Sequence, residues 1–142
     1  LLIELAVYEK DPDAVKITEK DLLEDGFTDN PRYECFIAEF NSEIVGLAFY
    51  TPRYSTWDGK TLHLEDLVVT ENMRGKGIGL SLYKSFLKEA KKQGVNRVEW
   101  SVLDWNKPAI DFYLKSGALI DDYSKWKIVR MNKSLIEKFL SS

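Results

Sequence analysis

Apolar positions along the chain recur at two spacings, every second and every third-to-fourth residue, and the switches between them mark the elements. Leu1, Leu2, Ile3, Leu5, Ala6 and Val7 read as the end of an apolar helix that opens without an N-cap, over 1–9. Asp11-Pro12-Asp13 is a turn. Thr18-Glu19-Lys20-Asp21 resembles a capping box with Asp in place of the usual Glu or Gln, so a short helix follows and stops at Gly26. Strands over 33–40 and 44–50 flank Asn41-Ser42-Glu43 and predict a hairpin. After a turn at 55–59, a third strand runs over 61–69. Ile78, Leu82, Phe86 and Ala90 form the stripe of a helix over 77–93 that packs on a sheet. A strand over 95–103, a helix over 108–116 ended by Gly117, strands near 118–120 and 126–131 and a last helical turn or two over 134–140 complete the pattern. This order predicts one domain over 1–142 of the α+β class, an α/β sandwich with a mixed sheet.

Composition narrows the function classes. The chain has 142 residues, 44% hydrophobic and 30% charged, ordinary for a globular protein with a real core. No apolar run approaches a membrane span, and no basic segment leads into a short apolar one, so neither membrane nor leader is expected. A net charge of −3 argues against nucleic acid as a partner. The single cysteine, Cys35, fits a reducing cytoplasm and lies in an apolar strand pattern, which places it in the core rather than as a nucleophile.

The informative segment is Val68-Val69-Thr70-Glu71-Asn72-Met73-Arg74-Gly75-Lys76-Gly77-Ile78-Gly79, between a buried strand and the long helix. Alternate glycines let the backbone approach a ligand closely, and their N–H groups with the helix N-terminus make an anion site to which Arg74 and Lys76 add charge. A pyrophosphate fits. No Gly-Lys-Ser/Thr ending is present, and a dinucleotide fingerprint counted from Gly75 would need glycine where Leu80 stands. A plain glycine turn is the bland alternative.

Arg74-x-x-Gly77-x-Gly79 resembles the acetyl-CoA pyrophosphate motif of the GNAT acetyltransferase superfamily. Asn106-Lys107-Pro108-Ala109 through Phe112-Tyr113 to Gly117 is similar to its later Asn…Phe-Tyr…Gly motif. The segment 19–27, Leu64-Glu65-Asp66 and Asp104-Trp105-Asn106 resemble the diamine (spermidine/spermine) acetyltransferases, and Tyr54-Ser55-Thr56-Trp57 is similar to their thialysine-acetylating branch. The resemblance covers nearly the whole chain. It implies a GNAT-like sheet, mostly antiparallel, with a splayed central strand pair and helices on both faces. It also implies that a first strand and the start of the first helix precede Leu1. Acetyl-CoA as cosubstrate, a small-molecule amine as acceptor and a homodimer follow from the same resemblance; the sequence shows no metal-ligand cluster, so no metal is expected.

A primary amine with a pKa near 10.4 is neutral in only about one molecule in 10³ at pH 7, so something must bind the ammonium and accept its proton. Two adjacent acids, Glu65 and Asp66, interrupt an apolar strand. Edge-strand solubility explains them blandly; the resemblance assigns both to the acceptor, with Glu65 as base through water. It places Leu67, Val68 and Val69 along the pantetheine arm beside a strand bulge, where backbone N–H groups polarise the acetyl carbonyl. Gly75, Lys76, Gly77, Ile78, Gly79 and Leu80 then join Arg74 at the pyrophosphate, and Asn106 and Ala109 complete the acetyl-CoA contacts. Tyr113 matches the general acid for the leaving thiolate; packing on the sheet is the alternative. Tyr8, Glu9, Trp57 and Trp126 match the walls of the amine channel, with Glu9 either at a second ammonium or in solvent and the tryptophans either at the channel or packed. His63, the one histidine, either packs or tunes Glu65.

One departure matters. Ser55 stands where the polyamine branch carries an acid, which favours a shorter amine such as thialysine, a lysine-like amino acid or a small diamine. Acetylation of a protein amine and an inactive acetyl-CoA-binding module are the competing readings.

Overall fold

The structure is a computed structural model; it describes residues 1–121 and 127–141. They fall into two compact units, Leu1–Leu103 and Asp104–Ser142, taken here in turn.

In the first unit, α1 (Leu2–Tyr8) and α2 (Glu19–Gly26) precede β1 (Glu34–Phe40), β2 (Glu43–Ser55) and β3 (Gly59–Val69). A single 3₁₀ turn at Glu71–Met73 leads to α3 (Ile78–Gln93) and β4 (Arg97–Glu99). The sheet order is β1-β2-β3-β4; β1–β2 and β2–β3 are antiparallel and β3–β4 parallel. Local chemistry sets these bounds. Thr18 accepts from the Asp21 N–H at 3.2 Å while Asp21 accepts from the Thr18 N–H at 2.7 Å, the reciprocal box that starts α2. Asn41 and Ser42 both adopt positive φ, 50° and 62°, which turns the β1–β2 hairpin in two residues.

Strand β2 runs five residues beyond the expected end at Tyr50. Proline at 52 signals a break in sequence, but β1 pairing stops at Glu34↔Tyr50. Past that rung β2 has an open side, where a residue without an N–H costs no ladder bond.

Cross-strand partners share a face of the sheet. On one face Tyr50, Leu62, Leu64 and Phe86 of α3 are buried together, with the Tyr50 and Phe86 rings 5.4 Å apart. Leu82 of α3 comes close to Gly46, so this is the α3 side. On the other face Val68 pairs with Leu47, both buried, and α1 packs on β3 with Ala6 buried. The expected mixed, mostly antiparallel sheet with helices on both sides is what the chain forms.

Two expectations change. The strand expected over 95–103 is only Arg97–Glu99. Cys35, expected in the core, is exposed, because β1 is the outermost strand of the described sheet.

The second unit contains α4 (Lys107–Lys115) and α5 (Lys133–Leu140). Asn106 starts α4 by accepting from the Ala109 N–H at 3.3 Å, with Pro108 in the first turn where its missing N–H is harmless. The strands expected near 118–120 and 126–131 do not form among the described residues. Their apolar side chains read as strand, yet a strand needs a neighbour's ladder; Leu119 and Val129 stay 96% and 88% exposed.

Candidate active site

The register of β2 with β3 slips by one residue. Tyr50 faces Leu64 and Phe49 faces Asp66, so Glu65 is the extra residue of a β-bulge. In an ideal strand 65 and 66 point to opposite faces. Here Phe49, Thr51 and Arg53 alternate onto one face of β2, and their partners are Asp66, His63 and Thr61. The Glu65 carboxylate reaches that same face: Oε1 accepts from the Thr51 hydroxyl at 3.4 Å and lies 3.8 Å from Arg53 Nη2. Its Oε2 is 3.8 Å from His63 Nε2. The bulge therefore sets two adjacent carboxylates side by side. It sits just beyond the last β3–β4 rung, His63↔Glu99, after which β3 runs on to Val69 without a described β4 partner. This is the fork expected of the central strand pair.

Charge on this face is graded. Arg53 Nη1 is 3.3 Å from Glu99 Oε1, Arg97 Nε is 3.1 Å from Glu99 Oε2, and Arg97 also pairs with Asp58. His63 is 14% exposed, and its Nδ1 is buried without a hydrogen-bond partner. Burial, then the nearby Arg53 charge, hold its imidazole below the usual range, with Glu65 and Glu99 pulling the other way. Asp66 shows the opposite effect: burial first, then the negative charges of Glu65 and Glu9, push its carboxyl up to about 6. Partial burial also raises Glu9. Cys35, cross-strand from Phe49 on the same face, keeps the solvent exposure of an edge strand, yet the protein packed around its thiol and then the Asp66 charge push it up to about 11, which leaves it a poor nucleophile.

The glycine loop joins the far end of β3 to α3. Gly75 and Gly77 adopt φ of 75° and 82°, and a Cβ on either would meet nothing within 4 Å. The backbone conformation requires glycine there, and the space beside it is open. No side chain caps α3, so its first-turn N–H groups have no competing side-chain acceptor. Arg74 is turned toward α1. Its Nε donates to the Val69 carbonyl at 2.9 Å, its guanidinium lies 4.9 Å over the Tyr8 ring and 3.9 Å from Glu4. Glu4 also accepts from the Glu71 N–H at 2.9 Å. Lys76 extends to the Met73 sulfur at 3.3 Å. Pyrophosphate chemistry fits this open, cationic, amide-lined turn.

Of the sequence-predicted residues, Glu65 and Asp66 share the bulge and Glu9 of α1 bears on Asp66, whereas Tyr8 lies under Arg74 of the glycine loop; Leu67, Val68 and Val69 lead from the bulge toward residues 74–80. Trp57 is 83% exposed on the β2–β3 turn. It shares a shallow depression of about 360 Å³ with Arg53, Tyr54 and Arg97, one side chain removed from Glu65. Ser55 accepts from the Trp57 and Asp58 N–H groups at 3.1 Å each, so it shapes that turn. Asn106, Ala109 and a buried Tyr113 lie in the second unit, where the Tyr113 ring meets Phe112 edge-on at 5.3 Å. Trp126 lies outside the described residues.

Sequence reasoning passed over Thr51, Arg53, Glu99 and Glu4. Arg53 lies past the expected end of the strand at Tyr50, so nothing assigned it a face; Glu4 acts only through the folded loop. Among the described residues, no group of three or more His, Cys, Asp or Glu side chains is placed to hold a metal ion, and no helix is long and apolar enough to cross a membrane.

The chain is similar to known proteins. Residues 4–118 match the acetyltransferase (GNAT) family. The chain is 42% identical over 126 residues to thialysine N-epsilon-acetyltransferase of Bos taurus, covering 83% of this chain and 74% of that one. It is 35% identical over 140 residues to thialysine N-epsilon-acetyltransferase of Caenorhabditis elegans, covering 98% of this chain and 86% of the relative. Among solved structures, an integron cassette protein from the mobile metagenome of V. cholerae superposes with a TM-score of 0.76 at 26% identity, over 99% of this chain and 87% of that one. A glycine-bridged strand-to-helix turn, a forked sheet and this degree of identity lead to one conclusion: the chain is an N-acetyltransferase that belongs to the GNAT acetyltransferase family.

Proposed function

We propose that this chain transfers the acetyl group of acetyl-CoA to the primary amine of a small molecule, by direct attack within a ternary complex. The acceptor class is thialysine, a lysine-like amino acid, a diamine or a polyamine, with the shorter amines favoured by Ser55. The observation that carries this reading is the bulge at Glu65, which turns two neighbouring carboxylates onto one face at the fork of β3 and β4. An ammonium group is the natural ligand of such a pair.

The remaining roles are those that the family resemblance of the motifs implies. Residues 74–80 bind the pyrophosphate through backbone N–H groups and the charges of Arg74 and Lys76. The stretch at 67–69, paired with β2 on one side and without a described β4 partner on the other, offers backbone groups to the pantetheine arm and to the acetyl oxygen. Asn106 and Ala109 add contacts to the donor. Glu9 and Tyr8 line the acceptor side with Trp57 and Trp126. Glu65 and Asp66 bind the ammonium, and Glu65 relieves it of a proton through water; the neutral amine attacks the thioester carbon, and the C–S bond breaks. The thiolate takes a proton from Tyr113. Phenol to thiolate is slightly uphill, since the ordinary values are about 10 and 8.5, so the benefit is modest, about 10²-fold. No metal enters this scheme. A homodimer in a cytoplasmic setting belongs to the same reading, with the segment 120–131 at the interface; Ile128 and Val129, both exposed, would be covered there.

The test is CoA release from acetyl-CoA with a panel of thialysine, lysine, ornithine, putrescine, spermidine and a lysine-containing peptide. Turnover with the small amines is expected. Release with the peptide alone would make this a protein acetyltransferase, and acetyl-CoA binding without any release would make it an inactive module. Light scattering at micromolar concentration should give twice 16.4 kDa; the single mass would remove the dimer.

A further inference from the structure

The glycine loop is entered through the 3₁₀ turn at Glu71–Met73, and the first N–H of such a turn has no acceptor within it. Thr70, the N-cap, supplies no side-chain cap. The acceptor comes instead from α1, 67 residues back in the chain: Glu4 Oε1 takes the Glu71 N–H at 2.9 Å. The same oxygen lies 3.9 Å from Nη2 of Arg74, the residue that follows the turn. Arg74 Nε donates to the Val69 carbonyl at 2.9 Å, and its guanidinium covers the Tyr8 ring at 4.9 Å. One carboxylate oxygen of α1 thus meets the first amide of the turn and the side chain at its end. The helix is a firm point to hold from, since Ala6 is buried where α1 packs on β3. Just beyond Arg74, Gly75 and Gly77 stand beside open space with φ of 75° and 82°.

Resting on the pyrophosphate site proposed above, we infer that Glu4 is a positioning residue for the donor. By capping the 3₁₀ turn from another helix it fixes where residues 74–79 start, and hence where their N–H groups meet the pyrophosphate. It acts through the loop rather than on the donor itself. Two effects oppose each other. A carboxylate beside Arg74 subtracts positive charge from an anion site, which works against binding. Each of the two side chains is more than a third exposed, so water and salt screen that contribution to little. An ordered loop, by contrast, spares the donor the entropy of ordering glycine-rich backbone when it binds, and glycine has the most freedom to lose. An N–H bonded to a carboxylate is also among the stronger hydrogen bonds. The hydrogen bond therefore outweighs the charge, and Glu4 favours an anionic donor although its own sign opposes it.

The readout is the ratio of kcat/KM for acetyl-CoA to kcat/KM for S-acetylpantetheine, measured with one amine at saturation. The shorter donor carries the same thioester and arm without the pyrophosphate. Glu4→Ala should lower this ratio about tenfold, through KM for acetyl-CoA, with kcat changed less than about threefold. Glu4→Gln keeps an oxygen that accepts from the Glu71 N–H and loses only the charge, so it should return the ratio to within about threefold of the wild type. A general loss of packing would lower both thioesters alike and leave the ratio where it was.

An unmoved ratio in Glu4→Ala, or a ratio in Glu4→Gln as low as that of Glu4→Ala, would overturn the inference. Glu4→Asp keeps the charge but is one methylene short of the amide; if Glu4→Ala does not fold, Glu4→Asp takes its place in both comparisons. A wild type that shows no preference for acetyl-CoA over S-acetylpantetheine would mean that the pyrophosphate site itself is wrong. A wild type that has the preference, with variants that keep all of it, removes the role of Glu4 alone.

Discussion

The Arg53 guanidinium on β2 lies 3.8 Å from the Glu65 carboxylate on the bulge of β3. Both side chains are close to half exposed, so the pair adds little to stability, about 1 kcal/mol at most. Its effect is local, because Arg53 also bears on His63. The chain has one histidine, so a single imidazole resonance can be followed by NMR. It should titrate below 6.5 in the wild type, since burial and Arg53 both oppose its charge. In Arg53→Gln it should move up while the unfolding free energy changes by less than about 1 kcal/mol. An unmoved resonance would show that Arg53 does not reach this face in solution.

Parts of this fold were legible because they are local. The Thr18–Asp21 box, the Asn41-Ser42 turn and the stripe ending in Leu82, Phe86 and Ala90 each depend on residues a few positions apart, and all formed where the pattern placed them. The register slip at Glu65 depends on which β2 residue meets which β3 residue. Resemblance implied a bulge in this strand, but only the pairing shows that it brings Glu65 and Asp66 onto one face. Cys35 failed for a similar reason: an apolar pattern does not reveal that its strand is the outermost one. Arg74 and Lys76 lie in the glycine loop that the pattern singles out, but the brace from Arg74 to Tyr8 and Glu4 spans most of the first unit and had no sequence signal.

That brace separates two contributions in the glycine loop. Lys76→Glu alters charge at a side chain whose described contact is the Met73 sulfur, so it should weaken acetyl-CoA binding and leave Tm nearly unchanged. Arg74→Glu should weaken binding and also lower Tm, because it sets an acid against Glu4 and removes the Tyr8 contact. Gly77→Ala meets no steric obstacle, yet it forces a φ of 82° on an L side chain at about 1–2 kcal/mol. It should cost both stability and affinity. Calorimetry showing unchanged acetyl-CoA affinity in all three would remove the pyrophosphate from this loop.

Tyr113→Phe keeps the buried ring and its edge-on contact with Phe112, so it should fold as the wild type does. Loss of a general acid should appear in kcat, about 10–10³-fold, with KM for the amine little changed. A loss confined to KM would assign the hydroxyl to binding instead.

Asp66 also leaves a signature in stability that does not require turnover. Its carboxyl titrates near 6 in the folded chain and near 3.8 when unfolded. Between those values the folded state holds a proton that the unfolded state has released, so this group's contribution falls as pH rises through the window. Above about pH 6 the full penalty of an ionised, crowded Asp66 is present; below about pH 4 it is gone. Asp66→Asn removes the ionisation and should be more stable than the wild type at pH 7.5, by about 1–3 kcal/mol after allowance for partial exposure. The difference should shrink to near zero by pH 4. His63 acts with the opposite sign, since its lowered value makes the chain lose stability as pH falls below 6.5. It is present in both proteins and cancels in the comparison at each pH. Denaturant midpoints measured at intervals from pH 4 to 8 supply the test. A wild type that equals or exceeds Asp66→Asn at pH 7.5 would mean that Asp66 is stabilised as an anion in solution, against the burial and the negative neighbours that raise it here.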